Sequence, residues 1–119
     1  MRLVDTSIWI DHIRKADPQL SGWLQADSVV VHPFVLGEVA MGSIANRRAV
    51  VRAMENLPEA IAASNAEVRA LVDRFGLFGR GIGFVDAHLL ASARLMPGTT
   101  LETRDKRLHA LSVELGVAT

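Results

Sequence analysis

The stretch that decides the fold is Met1–Ile10, which reads MRLVDTSIWI. Leu3 and Val4 have the character of a short buried strand, and the apolar residues from Ile8 onward begin a buried helix. Asp5 is the only acid in this segment, at the point where strand passes into helix. A buried carboxylate costs free energy unless it is paired or binds a cation. The segment therefore predicts a strand–helix unit with a candidate site at the end of the strand.

The rest of the chain alternates short apolar runs with longer helical patterns. Further strands are predicted at Val29–Val31, Ala60–Ala63, Thr99–Leu101 and Val117–Ala118. This β-α-β-α order predicts an α/β fold with a parallel sheet, in which ligand sites lie at the carboxyl ends of the strands. Local start signals predict three of the helices: a cap at Thr6 or Ser7, a cap at Asp17 with Pro18 opening the helix, and a capping box of Ser64 and Glu67.

Composition narrows the class of protein. The chain has 119 residues, of which 50% are hydrophobic and 22% charged, and it contains no cysteine. These values predict one globular domain over residues 1–119 and exclude a disulfide framework, a cysteine nucleophile and a thiolate metal site. No apolar run approaches the roughly 18 residues of a membrane helix. Asp5 also interrupts the region where a signal peptide would be apolar, so we expect a cytoplasmic protein without membrane contact.

The formal charge of zero conceals an uneven distribution. Lys and Arg total 13, as do Asp and Glu, and eleven of the cations are arginine, whose planar group suits phosphate oxygens. If four acids are gathered in one site, 13 cations remain against 9 acids elsewhere. RNA is therefore not excluded as a partner.

Two more acids lie in apolar surroundings. Glu38 is the only charge in Pro33–Gly42, and Asp86 is the only charge between Gly81 and Ala93. We expect Asp5, Glu38 and Asp86 to be at least partly buried, and few cations lie near them in sequence. Carboxylates that converge without a cation repel one another, whereas Mg²⁺ or Mn²⁺ takes oxygen ligands of this kind.

A fourth acid, Asp105, follows the predicted strand Thr99–Leu101, and parallel topology puts that strand end beside Asp5. Thr103 is then within reach of a carboxylate or a metal-bound water. Each acid also has a purely structural interpretation: Asp5 and Asp105 as helix caps, Asp86 as a partner of its helix dipole, and Glu38 as the ion-pair partner of a distant arginine. Their joint occurrence at such positions favours a metal site.

Other sequence patterns give weaker indications of a functional site. Gly79–Gly83 lacks the Lys-Ser/Thr ending of a phosphate-binding loop and is better interpreted as a flexible entry to the next helix. The four histidines form no zinc motif, and His88 is expected in the core or behind the site. On the first two helices, apolar stripes predict a groove that could take a partner helix; they comprise Trp9, Ile10, Ile13, Trp23 and Leu24.

Four motifs together resemble the PIN-domain proteins, specifically the VapC toxins. They are Val4–Asp11 (VDTSIWID), Gly37–Val39 (GEV), Gly81–Ala93 (GIGFVDAHLLASA) and Thr103–Leu108 (TRDKRL), in order over nearly the whole chain. The resemblance implies a three-layer α/β/α sandwich with a central parallel sheet of about five strands. It also implies an endoribonuclease that depends on Mg²⁺ or Mn²⁺ and cleaves RNA with a metal-activated water. The expected partners are a cognate VapB-like antitoxin and RNA, with assembly as a homodimer and a toxin–antitoxin hetero-oligomer.

Residue by residue, the resemblance assigns the catalytic and metal-binding roles to Asp5, Glu38, Asp86 and Asp105, which we call the acidic quartet. Supporting hydroxyls are assigned to Thr6, Ser7 and Thr103, and we expect RNA contacts from Arg14, Arg80 and Arg104.

One residue, Glu102, departs from the family, where a bulky apolar residue is usual. Its side chain either enters the metal pocket or, by strand alternation, points away from the side that Thr103 faces. Two rival functions stay open at this point: a Mg²⁺-dependent phosphatase or phosphotransferase, and an RNA- or protein-binding module without activity.

Overall fold

The strand predicted at Leu3-Val4 is the centre of the sheet. The computed structural model describes residues 1–119, and in it β1 (Arg2–Val4) lies between β2 (Val29–Val30) and β3 (Thr100–Glu102). Both pairs are parallel, with Arg2 aligned to Val29 on one side and to Thr100 on the other. The predicted α/β fold with a parallel sheet is confirmed.

The expectation of about five strands is wrong, because only three segments pair over more than one residue. The predicted strand Ala60–Ala63 does not form. The pairing nearest to it is an isolated parallel bridge between Val31 and Glu59, next to Pro58, which has no N–H to extend the pairing. The predicted strand Val117–Ala118 contributes one hydrogen bond, from Leu101 N to Val117 O at 2.8 Å. Gly116, with φ of 76°, turns the chain immediately before that bond.

Seven helices surround the sheet. They are α1 (Thr6–Arg14), α2 (Pro18–Gln25), α3 (Pro33–Ala40), α4 (Arg47–Glu55), α5 (Asn65–Phe75), α6 (Phe84–Leu95) and α7 (Lys106–Glu114). Helix α1 packs on α2 and α3, α3 on α4, and α5 on α6, while α6 and α7 both contact β3. No helix is both long and apolar enough to cross a membrane.

Local sequence signals explain where three helices begin. Asp17 caps α2 with Pro18 in its first turn, and Ser64 and Glu67 form the capping box of α5, so both predictions are confirmed. For α1, the cap predicted at Thr6 or Ser7 is wrong, and the alternative interpretation of Asp5 as the cap is correct. Asp5 has extended backbone angles, and its short carboxylate accepts a hydrogen bond from Thr6 N, which is the geometry that favours Asp as a cap.

The core joins the sheet to the helices. Leu3, Val30 and Leu101 lie side by side on the three strands and are all buried. Helix α6 passes through the interior, with every residue in Ala87–Ala93 buried. Since packing on all faces fixes this helix, it also fixes Asp86, which lies in its first turn.

Candidate active site

Three acids of the quartet lie at helix N-termini. Asp5 Oδ1 accepts from Thr6 N at 2.8 Å at the start of α1, and Asp105 Oδ1 accepts from Leu108 N at 2.9 Å at the start of α7. Asp86 Oδ2 accepts from Gly83 N at 3.0 Å at the start of α6. A carboxylate at this end of a helix is stabilised by the unpaired N–H groups and by the dipole. The structural interpretations of these three acids are therefore confirmed, and Asp86 and Asp105 each keep a second oxygen for another role.

Two threonine hydroxyls connect elements that are far apart in sequence. Thr103 Oγ1 donates to Asp5 Oδ2 at 2.8 Å and accepts from Asp105 N at 3.1 Å, which joins the ends of β1 and β3. Thr6 Oγ1 donates to Glu38 Oε1 at 2.7 Å, which joins α1 to α3. Ser7, the third hydroxyl predicted to support the site, is exposed and makes no side-chain hydrogen bond.

Each acid has one oxygen held by the protein, and three acids have a second oxygen without a protein partner. The free oxygens are Oε2 of Glu38, Oδ1 of Asp86 and Oδ2 of Asp105. No acid of the quartet forms an ion pair, since the salt bridges of the protein involve other carboxylates. The alternative that Glu38 pairs with a distant arginine is therefore wrong.

The charges of three acids act on one another. Burial raises the pKa of Asp86, the hydrogen bond from Gly83 opposes that rise, and the negative charges of Asp5 and Asp105 add to it. A cation placed among them would relieve this repulsion.

The chemistry of the donors suits a divalent cation, although the ligand set is not preassembled. The quartet offers only carboxylate oxygens, the donors that Mg²⁺ and Mn²⁺ prefer. No group of three or more His, Cys, Asp or Glu side chains is clustered closely enough to hold a metal ion as it stands. Asp5 directs both oxygens to protein donors, and Glu38, Asp86 and Asp105 direct one each. Metal binding by the quartet stays a prediction.

The burial expected for the acids is correct for two of them. Asp5 and Asp86 are partly buried, but Glu38 is exposed. Helix α3 buries Val35 and Val39 only, and its outer side carries Phe34, which is 40% exposed, and Met41, which is 88% exposed. The apolar composition around Glu38 therefore reflects an exposed apolar surface as well as a core-facing side.

The arginines proposed to contact RNA have different surroundings. Arg104 donates to both Asp11 and Asp17, and Arg80 donates to Glu114. Arg14 is exposed and makes no ion pair. Arg107, which no sequence signal singled out, lies against Gly81, where an added Cβ would come within 2.5 Å of its side chain.

Glu102 points away from the acidic quartet. Its carboxylate accepts from the guanidinium of Arg2 and from Thr100 Oγ1. Strand alternation therefore gave the correct one of the two orientations considered for this residue.

The predicted apolar groove exists but is lined differently. A cavity of about 250 Å³ lies between α1, α2 and α4. Trp9, Ile13 and Leu24 line it, together with His12, Val50, Ala53, Met54 and Leu57. The expectation that Trp23 contributes is wrong, because its ring lies beneath the Arg2 guanidinium, whose carbon is 4.9 Å from the ring centroid.

Two histidines are buried behind the site. His88 Nε2 is 2.8 Å from Asn65 Oδ1, as expected for a core role. His32 caps α3, where its Nδ1 accepts from Phe34 N at 2.9 Å. Burial lowers the pKa of His32 to about 4, with a further contribution from His88, so His32 is neutral at pH 7.

Comparison with known proteins agrees with the motifs and the fold. The family model described as PIN domain matches residues 2–114. Ribonuclease VapC32 of Mycobacterium tuberculosis, in strains CDC 1551 / Oshkosh and ATCC 25618 / H37Rv, is 48% identical over 118 residues. The match covers 99% of this chain and 95% of the relative. No solved structure matches the chain. The chain belongs to the PIN domain family.

Proposed function

We propose that this protein is a divalent-metal-dependent endoribonuclease and the toxin of a toxin–antitoxin pair. The observation that carries the proposal is a set of acids at helix N-termini whose charges act on one another and which have no cation partner. The 48% identity to a protein named as a ribonuclease supports it.

In this proposal the acidic quartet holds the metal ion. Bound there, Mg²⁺ or Mn²⁺ would supply Lewis-acid activation of a water and neutralisation of charge on the phosphodiester. Thr103 orients Asp5 through its 2.8 Å hydrogen bond, and Thr6 orients Glu38 through its 2.7 Å bond. The backbone amides of Gly83 and Leu108 fix the carboxylates of Asp86 and Asp105. The protein thus keeps the donor oxygens oriented, and it leaves three of them free for the ion.

The test is cleavage of an end-labelled structured RNA by purified protein in Mg²⁺, Mn²⁺ or EDTA. We expect cleavage only with metal and products with a 5′-phosphate and a 3′-hydroxyl, because an activated water displaces the 3′-oxygen. Asp86→Asn should reduce activity to background, whereas Asp73→Asn, an exposed acid on α5, should not change it. Ends with a 2′,3′-cyclic phosphate, or full activity in EDTA, would refute the mechanism.

The same assay with a phosphate monoester tests the rival enzyme class. Phosphatases with an aspartyl nucleophile generally have a second Asp two residues on, and Ser7 occupies that position here. We therefore expect no turnover of the monoester. Protein that binds RNA but cleaves neither substrate would instead be the inactive binding module.

We infer that the antitoxin docks on the apolar cavity between α1, α2 and α4. The cavity is lined mainly by hydrophobic residues, which suits the apolar side of a partner helix. Expression of the protein alone should arrest growth, and the small protein encoded beside it should relieve the arrest. Ala53→Arg puts a charge at the exposed rim of the cavity and should weaken the complex. Ala110→Arg, on the exposed side of α7, is the matched control.

We also propose that the protein forms a homodimer. Analytical sedimentation of the protein without antitoxin measures its mass in solution. A single species with the mass of two chains is the expected result.

A further inference from the structure

A second cleft adjoins the acidic quartet. It has a volume of about 540 Å³ and lies between α3 and the start of α6. Glu38 forms part of its wall, and the remaining lining is Pro33, Phe34, Gly37, Met41 and Val85. Glu38 is thus shared between the cleft and the acidic quartet, whereas the rest of the lining is uncharged and mostly apolar.

An aromatic ring on a rigid support forms part of this cleft. Phe34 is 40% exposed, and its ring meets the buried ring of His88 with centroids 4.6 Å apart and planes at 60°. His32 meets the same phenylalanine at 5.2 Å. His88 is itself held by Asn65. Because the buried histidine rings already hold the Phe34 ring in place, little conformational entropy is lost when a ligand stacks on that ring.

The chemistry of the cleft suits a nucleobase better than a phosphate. No Lys or Arg lines the cleft, and Glu38 would repel a phosphate. An uncharged, flat base can stack on Phe34 without meeting a like charge. Proteins that bind single-stranded RNA commonly stack unpaired bases on aromatic side chains.

We propose that this cleft binds one unstacked nucleobase of the RNA beside the cleaved phosphate, stacked on Phe34. The inference rests on the proposed ribonuclease function, since a metal ion held by the acidic quartet must bind the phosphate for the base to reach the cleft. It makes the enzyme selective for single-stranded or flipped-out nucleotides. A protein segment or a second copy of the chain is the competing occupant.

Gly37 allows the cleft to be filled without harming the fold. It lies in α3, and a Cβ added there meets no atom within 4 Å. Gly22 in α2 has the same property and is remote from the cleft. Gly37→Leu should therefore raise KM for a mixed-sequence single-stranded RNA about tenfold, the effect of losing one base stack, with kcat within about twofold of wild type. Gly22→Leu should leave both parameters unchanged.

A pair of substitutions at Phe34 separates stacking from simple apolar contact. Phe34→Leu keeps an apolar side chain but removes the ring, so it should raise KM like Gly37→Leu, and Phe34→Tyr should restore KM toward the wild-type value. In wild-type protein mixed rapidly with RNA and Mn²⁺, 2-aminopurine beside the cleavage position should lose fluorescence in the binding phase before cleavage, and Gly37→Leu should abolish that loss.

Three outcomes overturn the inference. One is a KM for Gly37→Leu and Phe34→Leu equal to that of wild type in an enzyme that cleaves RNA. The second is a change in oligomeric state or antitoxin affinity with RNA kinetics intact, which would assign the cleft to a protein partner. If wild-type protein cleaves no RNA in either metal, the proposed function fails first and the base site fails with it.

Discussion

Replacing Thr103 with valine tests whether its hydroxyl holds the candidate site together. The substitution keeps the shape of the side chain and removes two hydrogen bonds, one donated to Asp5 Oδ2 at 2.8 Å and one accepted from Asp105 N at 3.1 Å. A hydrogen bond to a charged group contributes about 1.5–3 kcal/mol, and a neutral one about 1 kcal/mol. The amide of Asp105 is exposed and can bind water instead, so its loss should cost little.

The expected loss for Thr103→Val is about 2 kcal/mol of unfolding free energy, dominated by the bond to Asp5. For a domain of this size that corresponds to a fall in Tm of roughly 6–10 °C. Urea denaturation in EDTA measures the loss without interference from metal. Thr103→Ser keeps the hydroxyl and should recover most of it.

Thr100→Val is the matched control. Thr100 also donates to a carboxylate, but at 3.2 Å and to Glu102, which already has the guanidinium of Arg2 as partner. Valine suits a strand, so we expect a change below about 0.5 kcal/mol. If Thr103→Val costs no more than Thr100→Val, the bond between Thr103 and Asp5 does not stabilise the junction of β1 and β3.

Three further outcomes follow from the charges of the site and from the buried histidine. Asp86→Asn should leave the melting temperature in EDTA unchanged or raised, because it removes a carboxylate whose pKa is raised by burial and by two negative neighbours; a fall of many degrees would contradict this. Addition of Mn²⁺ should raise the Tm of wild type and raise that of Asp86→Asn less. The folded state lowers the pKa of His32 from 6.5 to about 4, so as pH falls through this window the unfolded state takes up the proton first and stability is lost. Wild type should lose about 3 kcal/mol more between pH 7 and pH 4 than His32→Asn, which keeps an N-cap acceptor but does not titrate; equal pH slopes in denaturant titrations would refute this.

Features set by neighbours in sequence were predictable. The cap at Asp17 followed by Pro18 and the capping box of Ser64 and Glu67 depend on residues three positions apart at most, and both are correct. The alternation of apolar runs predicted the parallel sheet, because the runs at Leu3-Val4, Val29–Val31 and Thr99–Leu101 overlap its three strands. The first helix cap stays open among Asp5, Thr6 and Ser7 in the sequence, because all three are good capping residues and only the strand end decides among them.

Features set by partners distant in sequence were not predictable. Strand length depends on the register of pairing, so a run such as Ala60–Ala63 can read as a strand and pair only through one bridge. Trp23 was assigned to the groove because its helix face is apolar, but Arg2 on the neighbouring strand covers it. Glu38 was expected to be buried because α3 is apolar on nearly every side, and only the fold shows which side faces the core. The approach of Asp5 and Thr103 was inferred correctly from parallel topology.

The pairing of β1 with β3 also dictates when the candidate active site is completed during synthesis. Thr103 lies 98 residues after Asp5, and such non-local pairings form late because a long loop must close first. On the ribosome a growing chain therefore carries Asp5, Glu38 and Asp86 well before the segment that aligns them has been made. For a protein proposed to cleave RNA, this order of assembly means that the candidate site is incomplete until position 105 has been translated. Cleavage of the protein's own mRNA is delayed until then.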